Sequence, residues 1–258
     1  MRSQRYTSDL TDAQWQILKP LVPKAKSNKK VGGAPETYPK REIVNGILYV
    51  KTTGCQWRNI PSDLPPWGTV YHYFNEWSKD GSWKQINKKL RERVRKKDGR
   101  KPCPSAGIID AQSVKTAEQG GLFGFDAGKK VKGRKRHILV DTIGLIVNAI
   151  VHSASVQDRD GIKTVFQTLE ICVSTLKRVW VDQGYSGEKI ANYIKTSYRI
   201  VLDVVKRDGK GFKVLPRRWV VERTFAWLNK ARRLSKDYEY ETRNSESMIY
   251  VTMIRDLC

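Results

Sequence analysis

The hydrophobic positions change their period near residue 100. Before it they recur three and four residues apart, the spacing that lines one face of a helix. Thr11 and Gln14 make a capping box, with Leu10 and Trp15 placed as a hydrophobic staple, so a short helix starts there and stops at Pro20. Ile43, Ile47 and Val50 mark a second helix halted by Thr52, Thr53 and Gly54, and Val70, Tyr73, Phe74 and Trp77 mark a third. Between them, residues 55–68 carry three prolines and form a loop. A fourth helix starts at Ser82 with Gln85 as its capping partner and runs through Ile86, Leu90 and Val94. Lys88, Lys89, Arg91, Arg93, Arg95, Lys96 and Lys97 crowd its expected outward face.

The stretch 98–106 breaks this period and reads as a linker. Beyond it, strands alternate with helices. Residues 108–110 read as a short buried strand, 137–140 and 145–152 as a hairpin about the turn 141–144, and 160–176 as a helix. A strand at 178–182 ends on Gln183-Gly184, followed by a helix over 187–196, a strand over 199–205 and a helix from Arg218 to Arg233. The pattern predicts a small all-α domain over 1–97, with 40–51 and 69–79 as a helix-turn-helix-like pair, and an α/β domain over 107–258.

Charge narrows the partners. Lys plus Arg number 49 against 26 Asp plus Glu, a net charge of +23, and 39% of residues are hydrophobic, too many for a disordered polycation. Residues 1–100 carry +12 and the remainder +11, so both halves need a polyanion. No basic amphipathic helix with a lipid-facing edge, apolar N-terminal segment or long apolar run is present, which disfavours membrane and export and favours nucleic acid. Cys55, Cys103, Cys172 and Cys258 are scattered, with neither disulfide nor zinc spacing, so reduced thiols and a cytoplasmic location are expected.

Asp110 ends the apolar stretch 107–109 and Asp182 ends 178–181, so both are expected at strand ends, where carboxylates brought together repel unless a cation intervenes. Glu222 lies on a helical stripe with Arg218, Asn229 and Arg233, beside the apolar stripe of Val221, Phe225 and Leu228. Taken singly, each aspartate is better explained as a cap or turn residue, and Glu222 as an i to i+4 salt bridge with Arg218. Asp126, Asp141, Asp158, Asp160 and Asp203 are rival carboxylates; Asp141 fits turn chemistry, and Asp203 fits a strand position near Arg199. His137 and His152 read as ordinary strand residues, and Trp57, Trp67, Trp77 and Trp83 as core.

The strings GIIDAQSVK (107–115), GRKRHILVD (133–141), VWVDQGYSG (179–187) and RRWVVERTFAWLNKARRL (217–234) resemble the DDE transposases of bacterial insertion sequences, of the IS5 family and IS4/IS5-like. The tryptophan-rich segment 54–83 resembles that family's N-terminal region, so the likeness runs over essentially the whole chain. It implies an RNase H-like mixed sheet with flanking helices, and Asp110, Asp182 and Glu222 as catalytic residues and ligands of two Mg2+ (or Mn2+) ions. A related signature, Y-x2-R-x3-E-x6-K, meets Arg218 and Glu222, but Leu215 replaces the tyrosine and Asn229 the lysine, with Lys230 one step away.

The function so implied is recognition of terminal inverted repeats in double-stranded DNA, metal-dependent cleavage to a 3′-hydroxyl and its transfer to target DNA. A homodimer on paired ends, associated with a bacterial nucleoid, would do this. A transposase-derived DNA-binding protein without catalysis, and an RNase H-like nuclease without strand transfer, are the alternatives. Lys129, Lys130, Lys132, Arg134, Lys135 and Arg136 in the basic run 129–136 are expected to contact phosphates, together with Arg218, Asn229, Lys230 and Arg233. Tyr71, His72 and Asn75 on the third helix are expected to reach base edges or phosphates.

Overall fold

The capping box at Thr11 forms as expected: its hydroxyl accepts from the Gln14 amide at 3.1 Å, the Gln14 side chain accepts from the Thr11 amide at 3.0 Å, and α1 (Asp12–Leu18) follows. These coordinates come from a computed structural model, which describes residues 4–24, 37–117, 120–169, 175–205 and 218–258. Helix α2 (Lys40–Thr53) ends on Gly54 at φ 73°, where a side chain would press on the Arg232 backbone. Next come α3 (Trp67–Lys79) and α4 (Ser82–Lys97). The cap expected at Ser82 is not used. Gly81 is the N-cap, and the Ser82 amide and hydroxyl both go to Asp80 Oδ1, at 2.9 and 2.5 Å.

The sheet is built from β1 (Ala106–Lys115), β2 (Gly124–Asp126), β3 (Val131–Asp141), β4 (Ile146–Ser153), β5 (Arg178–Val181) and β6 (Val201–Val204). Its order is β2-β3-β1-β5-β6, with β4 also on β3. Strands β1, β3 and β4 pair antiparallel, while β5 joins β1 and β6 joins β5 in parallel. A parallel pair needs a crossover, and α5 (Asp158–Gln167) and α6 (Glu188–Tyr198) lie in these connections. This is the RNase H-like mixed sheet the resemblance implied. The helix expected over 160–176 ends at Gln167, nine residues early, with Thr168 as its C-cap; residues 170–174, Cys172 among them, and Leu215 lie outside the described residues.

Helices α7 (Arg218–Asn229) and α8 (Thr242–Leu257) complete the fold. Helix α8 is buried nearly all round, the pattern of a central core helix rather than a surface one. One hydrophobic cluster joins Leu10, Ile47, Phe74, Trp83 and Leu90 of the helical region to Ile138 and Val140 of β3, Val221 of α7 and Ile249 of α8. A second, between the sheet and α5, gathers Ile109, Leu139, Ile162, Val179 and Val181. The stretch 98–106 therefore marks a change of secondary structure and not a gap between two cores.

Two basic residues expected on the outer face of α4 point inward. Arg95 Nη1 meets Asp141 Oδ2 at 2.5 Å, and Arg91 donates to the carbonyl of Ile146 at 2.9 Å. Asp141 serves the turn as expected, its Oδ1 accepting from the amides of Ile143 and Leu145. Among the described residues no helix is long and apolar enough to cross a membrane.

Glu246 of α8 is half-buried and accepts from the Val151 amide at 2.9 Å; desolvation pushes its carboxyl up to about 7. The folded chain then keeps a proton that the unfolded chain releases from about 4.5 upward, so this residue lowers stability as pH rises from about 4.5 to about 7. Urea unfolding across that range is expected to show a smaller decline for Glu246→Gln than for the wild type, and an equal decline would contradict this.

Candidate active site

The parallel register of β1 with β5 sets the centre of the site. Ala106 pairs with Arg178, Gly107 with Val179 and Ile108 with Trp180, a constant offset that, carried two residues further, sets Asp110 beside Asp182. Residues two apart on a strand share a face, so both aspartates lie on the side of Ile108 and Trp180, which pack in the cluster that contains α7. Asp182 stands at the end of β5, as the sequence predicts. Asp110 does not stand at a strand end: β1 runs on to Lys115 against β3. The aspartate lies just beyond the last residue paired with β5, and this opening exposes it.

Each aspartate is held by backbone. Asp182 caps the tight turn Gln183–Tyr185, its Oδ1 accepting from the Gly184 amide at 2.8 Å, and Asp110 Oδ1 accepts from the Ala111 amide at 2.7 Å. Glu222 lies in the second turn of α7, which crosses β1. One nitrogen, Arg218 Nη2, lies 3.5 Å from Asp110 Oδ2, 3.8 Å from Asp182 Oδ2 and 3.9 Å from Glu222 Oε1. Burial raises the Asp110 carboxyl above its usual range, and the Asp182 charge adds to this; the Ala111 amide and Arg218 oppose it. The four residues that the sequence singled out thus meet in one place.

An all-oxygen donor set of three carboxylates suits a hard divalent cation such as Mg2+ or Mn2+. Among the described residues, no three His, Cys, Asp or Glu side chains are close enough to hold a metal as they stand. The Arg218 guanidinium lies among the three at 3.5–3.9 Å from an oxygen of each, longer than the about 2.0–2.1 Å of an Mg2+–oxygen bond.

Tyr185 was missed by sequence reasoning. It is buried at the end of the turn that Asp182 caps, and its hydroxyl lies 2.9 Å from Nδ1 of His137 on β3, the residue paired with Ala111. His137 is therefore an anchor for the turn rather than an ordinary strand residue. Its ring stacks 4.8 Å from His152, with Nε2 of both turned toward Gly161, where a side chain would collide with them. Burial holds both imidazoles below their usual range, and so neutral. The only signal in the sequence was the tyrosine three residues after Asp182.

The rival carboxylates are engaged elsewhere. Asp126 is bound by Ser113 Oγ at 2.6 Å, the Lys129 amide at 3.0 Å and Lys135 at 3.2 Å, and these donors outweigh burial to hold it near 2. Asp158 pairs with Lys135 at 2.8 Å and Asp160 with Lys163 at 3.1 Å. Asp203 pairs with Arg178 at 3.1 Å rather than Arg199.

Half of the basic run departs from expectation. β3 has partners on both edges and cover on both faces, so Arg134, Lys135 and Arg136 are buried and unavailable to phosphate. Arg134 binds Asp237 at 3.1 Å and the Glu239 and Tyr240 carbonyls at 2.6 Å; Arg136 binds the carbonyls of Leu234 and Lys236 at 2.8 and 3.0 Å. Arg233 is likewise internal, paired with Glu239 at 2.8 Å. Lys129, Lys130 and Lys132 remain exposed about the β2–β3 turn, as do Asn229 and Lys230 at the end of α7. On α3, His72 is exposed, but Tyr71 packs edge-on against Trp57 and Asn75 accepts from Asn244 at 3.3 Å. Trp77 and Trp83 are core and Trp57 is partly buried, whereas Trp67 is 41% exposed beneath the Arg58 guanidinium.

Residues 101–257 match the family model described as “Transposase DDE domain”, and residues 10–87 match “Putative transposase of IS4/5 family”. Two proteins of Burkholderia cepacia are similar in sequence. One, “Insertion element IS402 uncharacterized 16.2 kDa protein”, is 24% identical over 117 residues, covering 45% of this chain and 78% of its own. The other, “Putative transposase for insertion sequence element IS402”, is 30% identical over 114 residues, covering 42% of this chain and 54% of its own, so the match spans about half that relative. A solved structure described as “Crystal structure of the Mos1 mariner paired end complex with Mn” aligns over 90% of this chain and 79% of its own at 11% identity, with a TM-score of 0.31.

Removing the Tyr185 hydroxyl strands His137 Nδ1 in a dry site. Tyr185→Phe is expected to unfold in urea with a stability lower by about 1–3 kcal/mol, the cost of an orphaned buried polar group. No loss of stability would show that the bond does not anchor the turn.

Proposed function

The chain belongs to the DDE transposases of the IS4/5 type, and on that premise we propose that it binds the terminal inverted repeats of an insertion sequence in double-stranded DNA and breaks and rejoins the phosphodiester backbone. The observation that carries this reading is the meeting of Asp110, Asp182 and Glu222 about one cationic nitrogen. Three carboxylates in one cluster fit a divalent cation better than an acid–base or nucleophilic role, because among the described residues no histidine, serine or cysteine is hydrogen-bonded to them as a general-base pair.

Asp110, Asp182 and Glu222 would hold Mg2+ or Mn2+, which when bound stabilises charge on the attacking and leaving oxygens of an in-line displacement. The remaining work falls to the chain. The Ala111 and Gly184 amides fix one oxygen of each aspartate, and Tyr185 with His137 fixes the turn that carries Asp182. Arg218, released from the carboxylates, is placed to hold a phosphate of the DNA strand beside them. Lys129, Lys130, Lys132, Asn229 and Lys230 extend the contact along the backbone, and the net charge of +23 draws the polyanion in. The reaction is hydrolysis to a 3′-hydroxyl followed by attack of that hydroxyl on target DNA, performed by a homodimer on paired ends in the bacterial cytoplasm.

Replacing Asp110 by Asn removes a ligand charge at constant shape. Asp110→Asn is expected to lose Mg2+-dependent cleavage by at least about 1,000-fold, as for other large losses of electrostatic stabilisation at a reacting centre, while gel-shift affinity for the element ends stays near wild type. Robust cleavage by this variant would overturn the assignment. Joining of a labelled, pre-cut end to plasmid by the wild type, and its absence, separate a transposase from a nuclease of the same fold.

A further inference from the structure

Three large apolar side chains stand exposed within four residues: Leu122 at 56%, Phe123 at 48% and Phe125 at 55%. Among the described residues one other large hydrophobic is as exposed, Tyr240 at 62%, and it lies against Gly120 and Gly121 beside this cluster. Such a cluster on a folded surface marks a contact that the isolated chain leaves unmade. The ribbon that carries it is rigidly backed. Gly133 of β3 lies so close to the Val114 carbonyl of β1, and Gly124 of β2 so close to Ser153 and Ser155, that neither position has room for a side chain. Asp126 is tied down by Ser113, Lys129 and Lys135. Phe125 pairs directly with Lys132, so the two share a face, and the Lys132 ammonium lies 5.1 Å from the centre of the Phe123 ring.

The surroundings specify the partner. Lys132 lies against these rings, and Lys130 stands exposed in the turn of the same ribbon, so an apolar protein surface docking there would have to desolvate ammonium groups. A nucleic acid answers both features, because phosphates take the lysines and bases present flat faces to the rings. In an intact duplex those faces are covered by the neighbouring base pairs, so the rings can stack only on bases that are unpaired. The ribbon also reaches the candidate site: Lys129 Nζ donates to the carbonyl of Ala111, the residue after Asp110, at 2.8 Å.

We propose that the β2–β3 ribbon is a nucleobase-stacking element: Phe123 and Phe125 receive unpaired bases of an opened DNA end while Lys130 and Lys132 hold the adjoining phosphates, beside the catalytic carboxylates. This rests on the DNA-binding reading above and adds to it the form of DNA that the site holds.

The test measures fluorescence anisotropy with the full chain and three probes of one mixed sequence: a single strand, its blunt duplex, and the same single strand with abasic sites. The double variant Phe123→Ala/Phe125→Ala removes only exposed rings, and its circular dichroism and melting are checked against wild type; Phe123→Tyr/Phe125→Tyr restores the stacking faces. The alanine variant is expected to bind the base-bearing single strand about tenfold more weakly or worse, given the usual energy of aromatic–base stacking. Its affinity for blunt duplex and for the abasic strand is expected to stay within about twofold of wild type, by the same principle that stacking needs a base, and the tyrosine variant is expected to regain the single-strand affinity. Equal loss on all three probes, or no loss on the single strand, overturns the proposal. A change of oligomeric state without change on any probe also overturns it and assigns the patch to self-association. Absence of wild-type binding to every probe, duplex included, would mean that the DNA-binding reading itself has failed.

Discussion

Like charges at close range set the terms for this molecule. Asp110, Asp182 and Glu222 approach one point from a strand, a turn and a helix, and the like charges of the two aspartates repel where Asp110 is mostly buried. Arg218 supplies a positive charge from within the chain, one helical turn before Glu222 and within 4 Å of all three. The fold can therefore form before any metal arrives. On the proposed reading, that cation stands where the divalent metal would bind.

The surrounding structure is organised to keep that cluster in register. Parallel pairing of β5 on β1 sets the two aspartates side by side, and the Tyr185–His137 bond ties the turn after β5 to the strand on the other flank of β1. The same device recurs with buried cations elsewhere in the fold. Arg95 meets Asp141, and Arg134 and Arg136 collect the carbonyls of the segment between α7 and α8. Among the described residues seven of the 49 Lys and Arg side chains are buried, Arg134, Lys135 and Arg136 of the basic run among them, so the basic run offers DNA less than its charge suggests.

The sequence carried the hairpin of β3 and β4, the capping box at Thr11 and the central pair of aspartates, because each rests on local spacing. Its strand-end reading of Asp182 held, while that of Asp110 did not, since the length of β1 is fixed by pairing with a strand that the basic run 131–136 concealed. Three cationic residues in a row look like a solvated loop to any local rule. Only tertiary partners such as Asp237 and the carbonyls of 234–240 make Arg134 and Arg136 affordable inside. Helix α8 lacked an amphipathic stripe for the related reason that it is covered on every side, and the separateness of the first hundred residues dissolved because that helix fills the core they share with the sheet.

The most direct measurement on the central claim is a crystal structure of the chain soaked in Mn2+, with the metal located by its anomalous scattering. The account requires Mn2+ between Asp110 and Asp182, with Glu222 at or near it and Arg218 withdrawn from the position it holds among the three. Mn2+ found only elsewhere, with Arg218 still seated between the carboxylates at saturating metal, would contradict it and leave the cluster as a structural ion-pair network.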